Sequence, residues 1–425
     1  MGGRYLFKEL GAVSGRQSAG PKLGYFGMSN DTDGANLLAP NAPPHPTSPA
    51  QQPLSSGGPA PYEGDAVIYD GKAGKLFGMG LKIAILSLLT LGFYRFWGKT
   101  QVRRYLWSRL SLMGDRFEYT GTGKELFLGF LIVLTVLIPM GAASYATEIL
   151  LAGKSAVMYG AATSAQYAVI MFLIGYATFR ARRYRLSRTV LRGIRFWQTG
   201  SSVGYAFRWI GYVALTVVTL GIARPVGDAA LYRYIMGHTW FGSRNFEANG
   251  TAGAMMGRWI VCLLLMPFTL GLSLLWYSAF KVRYLTSRTR YQGLALSLPV
   301  TFGNLLRIYL PYILVIIVLL ALLFATIFGP ISLAILTGAA TDPETLMGAN
   351  SSIGTVAAIV IFGLISPVLS LVLITHRMTR LIAERLAFEG HVDLNAVAQV
   401  AAQQPKRGEG LADALDVGGG LEVGL

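Results

Sequence analysis

Long apolar segments alternate with short basic stretches along most of the chain. Most of these segments reach the ~20 apolar residues that a helix needs to cross a ~30 Å hydrocarbon core. They are Leu76–Trp97, Leu126–Leu151, Tyr167–Thr178, Val203–Ile222, Ala254–Phe280, Leu305–Leu336 and Ile353–Thr375. The pattern predicts an all-α membrane protein, a polytopic bundle of about six to eight helices.

A basic motif, Arg-Tyr-x-x-Ser-Arg, recurs between the apolar segments, and a glycine follows its complete copies five residues later. The copies begin at Arg104, Arg183, Arg233, Arg283 and Arg380, of which those at Arg233 and Arg380 have diverged. Successive copies are 79, 50, 50 and 97 residues apart. Self-similarity of this kind is typical of repeat architectures, so we expect a bundle built from degenerate ~50-residue repeats.

The basic side of the repeats is expected to carry short β-strands and turns. Phe117 and Tyr119 alternate with polar residues, as in a half-buried strand. The run Gly121–Gly123 then has the composition of a tight turn, and a strand-to-helix turn is favoured there over a phosphate-binding nest that uses Lys124. Gly114, which follows the motif, is expected to end the basic helix.

A Thr-Leu-Gly tripeptide interrupts three apolar segments, at 90–92, 219–221 and 269–271. It could form the tip of a helical hairpin, which would leave every basic motif on the cytoplasmic side. It could instead be a kink in a straight span, which would place neighbouring motifs on opposite sides. The positive-inside rule favours the hairpin. Arg95 and Arg224 follow the glycine closely, however, and make a deep return helix costly.

The content and distribution of charged residues indicate which membrane the chain occupies. Charged residues make up 14% of the chain, against about 25% in an average soluble domain. The net charge is +16, and the basic residues flank apolar segments, as cytoplasmic flanks do. We therefore expect a multi-pass protein of the bacterial inner membrane. Its partners are expected to be the lipid bilayer and anionic phospholipid headgroups, with no nucleic acid.

Composition also divides the chain into three parts. Residues 1–61 are expected to be a disordered tail, because this stretch is rich in Pro, Ser and Gly and has no apolar periodicity. Residues 62–394 form the predicted membrane domain. Residues 395–425 are expected to be a low-complexity C-terminal tail.

The arginines of the basic motif are the candidate contacts for anions or lipid headgroups, since a guanidinium can bind phosphate in a bidentate manner. These candidates are Arg104, Arg109, Arg183, Arg188, Arg233, Arg283, Arg288, Arg380 and Arg385. Glu148 and His376 are the candidate polar residues within the membrane. No catalytic residue, cofactor site or metal site is predicted, because the histidines and the single Cys262 lack ligand spacing.

Three runs of residues carry a family resemblance: 88–99, which contains Thr-Leu-Gly, 103–107, and 116–126, which contains Phe-Glu-Tyr-Thr-Gly-Thr-Gly. In this order they resemble the YjgN-like family of multi-pass bacterial inner-membrane proteins of unknown function. The resemblance extends from about Tyr62 to Asp393 and is densest over Leu76–Phe130. It implies a membrane topology and no established activity, and the Pro/Ser-rich head before residue 61 departs from the family pattern.

Two functional hypotheses follow from these features. Repeats of this sort occur in transporters, so a transporter or channel with a polar cavity at mid-membrane depth is the first. The alternative is a non-catalytic membrane scaffold or envelope-associated factor that binds anionic lipid or a protein partner through the arginine-rich helices. A membrane enzyme is less favoured, because no Gly-x-Ser-x-Gly or other readable catalytic set occurs.

Overall fold

The computed structural model describes residues 67–151, 153, 155–338, 353–390 and 397. All of them belong to one compact unit, Gly58–Leu425. The predicted N-terminal tail, and the C-terminal tail apart from Val397, lie outside the described residues.

The described chain repeats one order of elements, a strand, two helical arms and a strand, five times, and in the fifth unit the second arm consists of two α-helices joined by a π-helical segment. The first three units are β1 (Val67–Tyr69), α1 (Ala73–Leu89), α2 (Arg95–Ser108), β2 (Leu110–Leu112); β3 (Asp115–Tyr119), α3 (Gly123–Leu151), α4 (Ala156–Ser187), β4 (Thr189–Leu191); and β5 (Ile194–Gln198), α5 (Ser202–Val218), α6 (Arg224–Gly237), β6 (Thr239–Phe241). The last two are β7 (Arg244–Ala248), α7 (Gly253–Leu265), α8 (Ser273–Ser287), β8 (Thr289–Tyr291); and β9 (Leu294–Ser297), α9 (Phe302–Leu336), α10 (Ile353–Leu369), a π-helical segment (Ser370–His376), α11 (Arg377–Arg385), β10 (Ala387–Glu389).

The strands form one antiparallel sheet of ten strands in sequence order, β1 to β10. Within a unit, the two strands that enclose the helices pair with each other, as Phe117 in β3 pairs with Leu191 in β4. Between units, a tight turn joins neighbouring strands, and these also pair. The sheet curves until β1 contacts α11, the helix that leads into β10. The result is a nearly closed, barrel-like ring of short strands.

This ring shows that the prediction of an all-α bundle was wrong. The strands have three to five residues each. A strand of that length leaves little periodic signal, and a lone pair of strands is only marginally stable in water. The stability comes from joining five pairs edge to edge, which depends on contacts between units rather than on local pattern.

The expectation that Gly114 ends the basic helix was also wrong. Helix α2 ends at Ser108, and Gly114 lies with Met113 in the turn between β2 and β3. Both residues have positive φ, 50° for Met113 and 89° for Gly114. A two-residue turn of that kind matches the right-handed twist of the strands that it joins, and glycine adopts it without a Cβ clash.

The Thr-Leu-Gly tripeptide forms the tip of a helical hairpin, the first of the two alternatives. The Thr90 hydroxyl donates to the Leu86 carbonyl (2.7 Å) and accepts from the Tyr94 N–H (2.9 Å). The Gly92 N–H donates to the Ser87 carbonyl (2.6 Å), as in a Schellman cap. One threonine therefore ends α1 and begins α2. The same bonds recur at the other two tips. The Thr219 hydroxyl donates to the Leu215 carbonyl and accepts from the Ala223 N–H. The Thr269 hydroxyl donates to the Leu265 carbonyl and accepts from the Ser273 N–H.

The helical hairpins have two lengths: those of the second and fifth units are long, and the other three are short. Four helical stretches of the described chain are long and apolar enough to cross a membrane: Gly123–Leu151, Ala156–Ser187, Phe302–Gly329 and Gly354–Arg385. The prediction of six to eight such helices was too high, because each apolar segment with Thr-Leu-Gly folds into parts of two shorter helices. The tip leucines Leu91, Leu220 and Leu270 are 89%, 86% and 95% exposed. Exposed apolar patches of this kind mark contact surfaces for lipid or for another protein.

Candidate functional site

The tyrosine of the basic motif anchors the start of the first helix in each short hairpin. The Tyr105 hydroxyl accepts a hydrogen bond from the Lys72 N–H (2.8 Å), just before α1. The same bond recurs in the other two short hairpins, from Ser201 N–H to Tyr234 (3.0 Å) and from Thr251 N–H to Tyr284 (3.1 Å). The motif thus ties the sheet ends of two helices together.

The serine and the second arginine of the motif complete this local structure. The Ser108 hydroxyl donates to the Tyr105 carbonyl (3.0 Å), and the Arg109 guanidinium lies over the Tyr105 ring (5.8 Å). Arg188 and Arg288 lie over their tyrosine rings in the same way. His238 replaces both residues in the third unit, because its Nδ1 lies 2.7 Å from the Tyr234 carbonyl oxygen and its ring packs on the Tyr234 ring.

Several motif arginines are therefore engaged by other parts of the same chain. Arg104 donates to the Gly121 carbonyl (2.9 Å), and Arg183 donates to the Gly200 carbonyl, so each binds the turn of the next unit. Arg109 pairs with Asp70 (3.3 Å), and Arg116 pairs with the same carboxylate (3.0 Å). The hydrogen bond from Arg116 is the main cause that lowers the pKa of Asp70 below its usual value.

The remaining motif arginines include two that form ion pairs and others that are exposed. Arg188 pairs with Glu125 (2.9 Å), and Arg380 pairs with Glu384 in the next helical turn (2.7 Å). Arg233, Arg283 and Arg385 are exposed. The nine predicted arginines thus do not form one continuous ring, and only some of them are available to a ligand outside the protein.

The two polar residues predicted within the membrane differ in their surroundings. His376 is buried in the π-helical segment, and its Nδ1 lies 3.0 Å from the Tyr69 hydroxyl. Burial, followed by the nearby Tyr105 and Asp70, raises the pKa of Tyr69 to about 12. Glu148 is exposed near the far end of α3. The described residues contain no cluster of His, Cys, Asp or Glu that could hold a metal ion.

A pocket with two arginines lies on the outer side, between the fourth hairpin and α9. Its volume is about 220 Å³. Arg258 and Arg283 flank Phe280, with the Arg258 guanidinium 3.8 Å from the ring centroid and that of Arg283 6.0 Å away. Trp276 and Phe302 complete an apolar wall. Arg283 was predicted from the basic motif, and Arg258 was not, because its only signal in the sequence is that of a lone cation inside an apolar segment.

A second cavity, the ring cavity, lies inside the curved sheet and has a volume of about 300 Å³. Every strand from β1 to β10 contributes to its lining, chiefly with Leu and Phe side chains. The C-terminal parts of α2, α4 and α11 cover its helix side, where Arg182 and Arg185 reach it. This cavity was not predicted from the sequence, because it exists only once all five units are assembled.

These features define a class of membrane protein in which helical hairpins stand on a ring of short strands, with arginines where helices meet strands. The chain belongs to a family of bacterial proteins of unknown function (DUF898), whose profile matches residues 65–414. It is similar to inner membrane protein YjgN of Salmonella typhimurium, with 35% identity over 72 residues. That match covers 17% of this chain and 18% of the relative's length. No solved structure matches the chain. The chain is thus a YjgN-like protein of the bacterial inner membrane.

Proposed function

We propose that this chain is a non-catalytic inner-membrane protein that binds anionic phospholipid headgroups at the sheet end of its helices. The observation that carries the proposal is the pocket of Arg258 and Arg283 around Phe280. Neither arginine forms an ion pair within the described residues. Both arginines line this one pocket, with their guanidinium groups 3.8 Å and 6.0 Å from the Phe280 ring centroid, so a phosphate bound there could accept from two donors.

The position of the pocket fits a lipid rather than a free anion. Arg258 is in the second turn of α7, and Arg283 is in the last two turns of α8, so both lie close to the ring. The helix faces beyond them are apolar and exposed, for example at Leu264 and Phe268. A phosphodiester at the arginines would therefore leave its acyl chains along these faces.

We also propose a topology in which the five units are copies of one internal repeat and the chain is multi-pass. The shared element order, the recurrent Tyr bond and the recurrent threonine tip support the repeat. Under the positive-inside rule, the ring and its arginines face the cytoplasm. The two long hairpins then cross the membrane, and the three short hairpins enter it and return.

Transport or channel activity, the other hypothesis raised by the sequence, has weaker support. It requires a polar cavity at mid-membrane depth. The two cavities described above lie at the sheet end of the helices, and both have largely apolar linings. We therefore favour a lipid-binding scaffold.

Lipid selectivity of the purified full chain in nanodiscs tests the proposal. The Arg258→Ala/Arg283→Ala variant should lose about ten-fold of its preference for phosphatidylglycerol over phosphatidylcholine, which corresponds to about one charge-assisted hydrogen bond. Arg233→Ala/Arg385→Ala is the matched control, because it removes two exposed arginines that lie away from the pocket. An equal loss in both variants would mean that only net charge matters and would contradict the site.

A further inference from the structure

The two ends of the ring differ in what adjoins them. Every helical arm of the described chain joins the ring at one end, the helix end, since each odd-numbered strand leads into a helix and each even-numbered strand follows one. At the opposite end, the turn end, two-residue turns join neighbouring strands, as Arg192 and Gly193 join β4 to β5. The C-terminal parts of α2, α4 and α11 cover the ring cavity at the helix end. The turn end therefore needs a different cover if the apolar lining is to be kept from water.

One residue of the chain after β10 lies at the turn end. Val397 is 5% exposed and belongs to one buried apolar cluster with Leu191, Phe241 and Tyr291. These three are the last residues of β4, β6 and β8, and each of them directly precedes a turn. All three also line the ring cavity. Val397 is thus part of the apolar interior of the ring, at the end that the helices do not join.

The path of the chain after β10 leads to this position. Glu389 is the last residue of β10 and pairs with Ala295, near the start of β9, so β10 ends at the turn end of the ring. In the other four units, the chain continues from this end through a turn into the next strand. β10 is the last strand of the described chain. Val397 comes eight residues after Glu389, and the chain has therefore returned from the edge of the sheet to the interior of the ring.

The sequence around Val397 suits an apolar docking surface. Residues 391–402, the plug segment, lie outside the described residues except for Val397. They are rich in Ala, Val and Leu, and Asp393 is the only Asp, Glu, Lys or Arg among them. Charged residues return just beyond, at Lys406 and Arg407. The family profile extends to residue 414 and so includes the whole segment. This composition is typical of a segment that packs against apolar surface.

We propose that the plug segment docks in the turn end of the ring, with Val397 as its anchor, and closes the ring cavity to water at that end. The surface that receives it is the inner face of the sheet, where Phe117, Phe196 and Phe241 line the cavity. Covering these aromatic side chains is favourable, because apolar surface is stabilised by its removal from water. The proposal concerns the inside of the ring and does not depend on the headgroup pocket.

Disulfide cross-linking of the full chain in nanodiscs tests the position of the plug segment. In a Cys262→Ser background, Val397→Cys is combined in turn with a cysteine at each of the three strand residues of its cluster. At least one pair should cross-link in most molecules, because side chains packed together lie within reach of a disulfide. Val397→Cys with Ser111→Cys is the control and should not cross-link. Ser111 precedes the lining residue Leu112 in β2 and so lies on the other face of the sheet.

The rate of thiol labelling tests whether the plug segment closes the cavity. Leu296→Cys places a thiol in the lining, and a water-soluble maleimide is the probe. Addition of Val397→Asp should make this thiol react about ten-fold faster, because the apolar cluster does not accommodate a carboxylate. Val397→Ile keeps the apolar contact and should leave the rate unchanged. Ser111→Cys, on the outer face, should react equally fast in all three backgrounds, which shows that the ring stays folded.

Two results would overturn the proposal. One is the absence of a cross-link in all three pairs. The other is a Leu296→Cys thiol that reacts no faster when Val397→Asp is added. If Val397→Asp does not fold, which faster labelling of Ser111→Cys would reveal, Val397→Ala takes its place. It removes two methyl groups from the anchor, so labelling of Leu296→Cys should be about three-fold faster.

Discussion

A single hydroxyl group joins the two helices of each short hairpin at their sheet ends. Tyr234 shows the arrangement in full: its oxygen accepts from the Ser201 N–H (3.0 Å) and donates to the Ser201 carbonyl (3.1 Å). The Arg208 guanidinium covers the same ring at 4.7 Å. At the residue scale, the tyrosine of the basic motif therefore has a structural role: its hydroxyl links the two helices, and its ring positions the arginine that packs on it.

Removal of that hydroxyl should cost measurable stability. We expect Tyr234→Phe to lower the free energy of unfolding by about 1 kcal/mol, because the Ser201 N–H and carbonyl lose their partner. Tyr212→Phe is the control, since its hydroxyl makes no hydrogen bond to the described residues. Thermal unfolding of the purified chain in detergent compares the two. Equal melting temperatures for both variants would show that the hydrogen bonds of the Tyr234 hydroxyl do not contribute to stability.

At the element scale, the Thr-Leu-Gly tip explains the irregular spacing of the basic motif. A unit with this tip needs about 50 residues, and a unit with full-length helices needs 79 or 97. The tip also sets the conformations of Leu220 and Gly221, with φ of 50° and 92°. A leucine with positive φ is strained, and it persists here because Thr219 and the Schellman bond hold both sides of the turn.

The glycine of the tip should be hard to replace. Gly221→Ala places a Cβ in a region of φ that L residues avoid, and we expect a loss of about 1–2 kcal/mol. Gly211→Ala, in the middle of α5 with no atom near its added Cβ, should instead gain about 0.5–1 kcal/mol. Unfolding in detergent measures both. A gain at Gly221 would mean that the turn is not held in this conformation.

Local features of the chain could be predicted, and features that depend on assembly could not. The long helices α3 and α9, the strand around Phe117 and the recurrent tyrosine all follow from short-range pattern. The strand VIY at Val67–Tyr69 is too short to show a period, and its partner lies more than 40 residues away. The same holds for the ring cavity, whose wall comes from all ten strands.

At the scale of the whole molecule, charge limits how deeply the short hairpins can enter the bilayer in the proposed topology. Arg208 and Arg258 occupy equivalent places, each twelve residues before a tip leucine, Leu220 or Leu270. At about 1.5 Å per residue, about 15 Å of helix follows Arg208 in α5, which ends at Val218. About 10 Å follows Arg258 in α7, which ends at Leu265. The helix beyond each cation therefore spans at most about half of a ~30 Å hydrocarbon core. Arg224, just after the tip, lies over the Trp259 ring at 5.6 Å, which reduces its exposure to lipid.

Cysteine labelling of intact cells tests this depth and the proposed topology together. In a Cys262→Ser background, single cysteines replace Ser108, Ser287, Glu148 and Leu220, all of them exposed. Ser108→Cys and Ser287→Cys lie beside the ring and should react with an impermeant maleimide only after the membrane is opened. Glu148→Cys, near the far end of α3, should react from outside.

Leu220→Cys is the informative variant, since it distinguishes a short hairpin that stops at half depth from one that crosses the membrane completely. A tip that stops at half depth is surrounded by lipid tails, where a thiol stays protonated and the polar reagent is excluded, so labelling should be at least ten-fold slower than at either face, before and after opening. Rapid labelling from outside would mean that the short hairpins cross completely. All five units would then present loops on the periplasmic side, Arg224 would lie near headgroups, and Arg208 and Arg258 would not limit insertion to half depth.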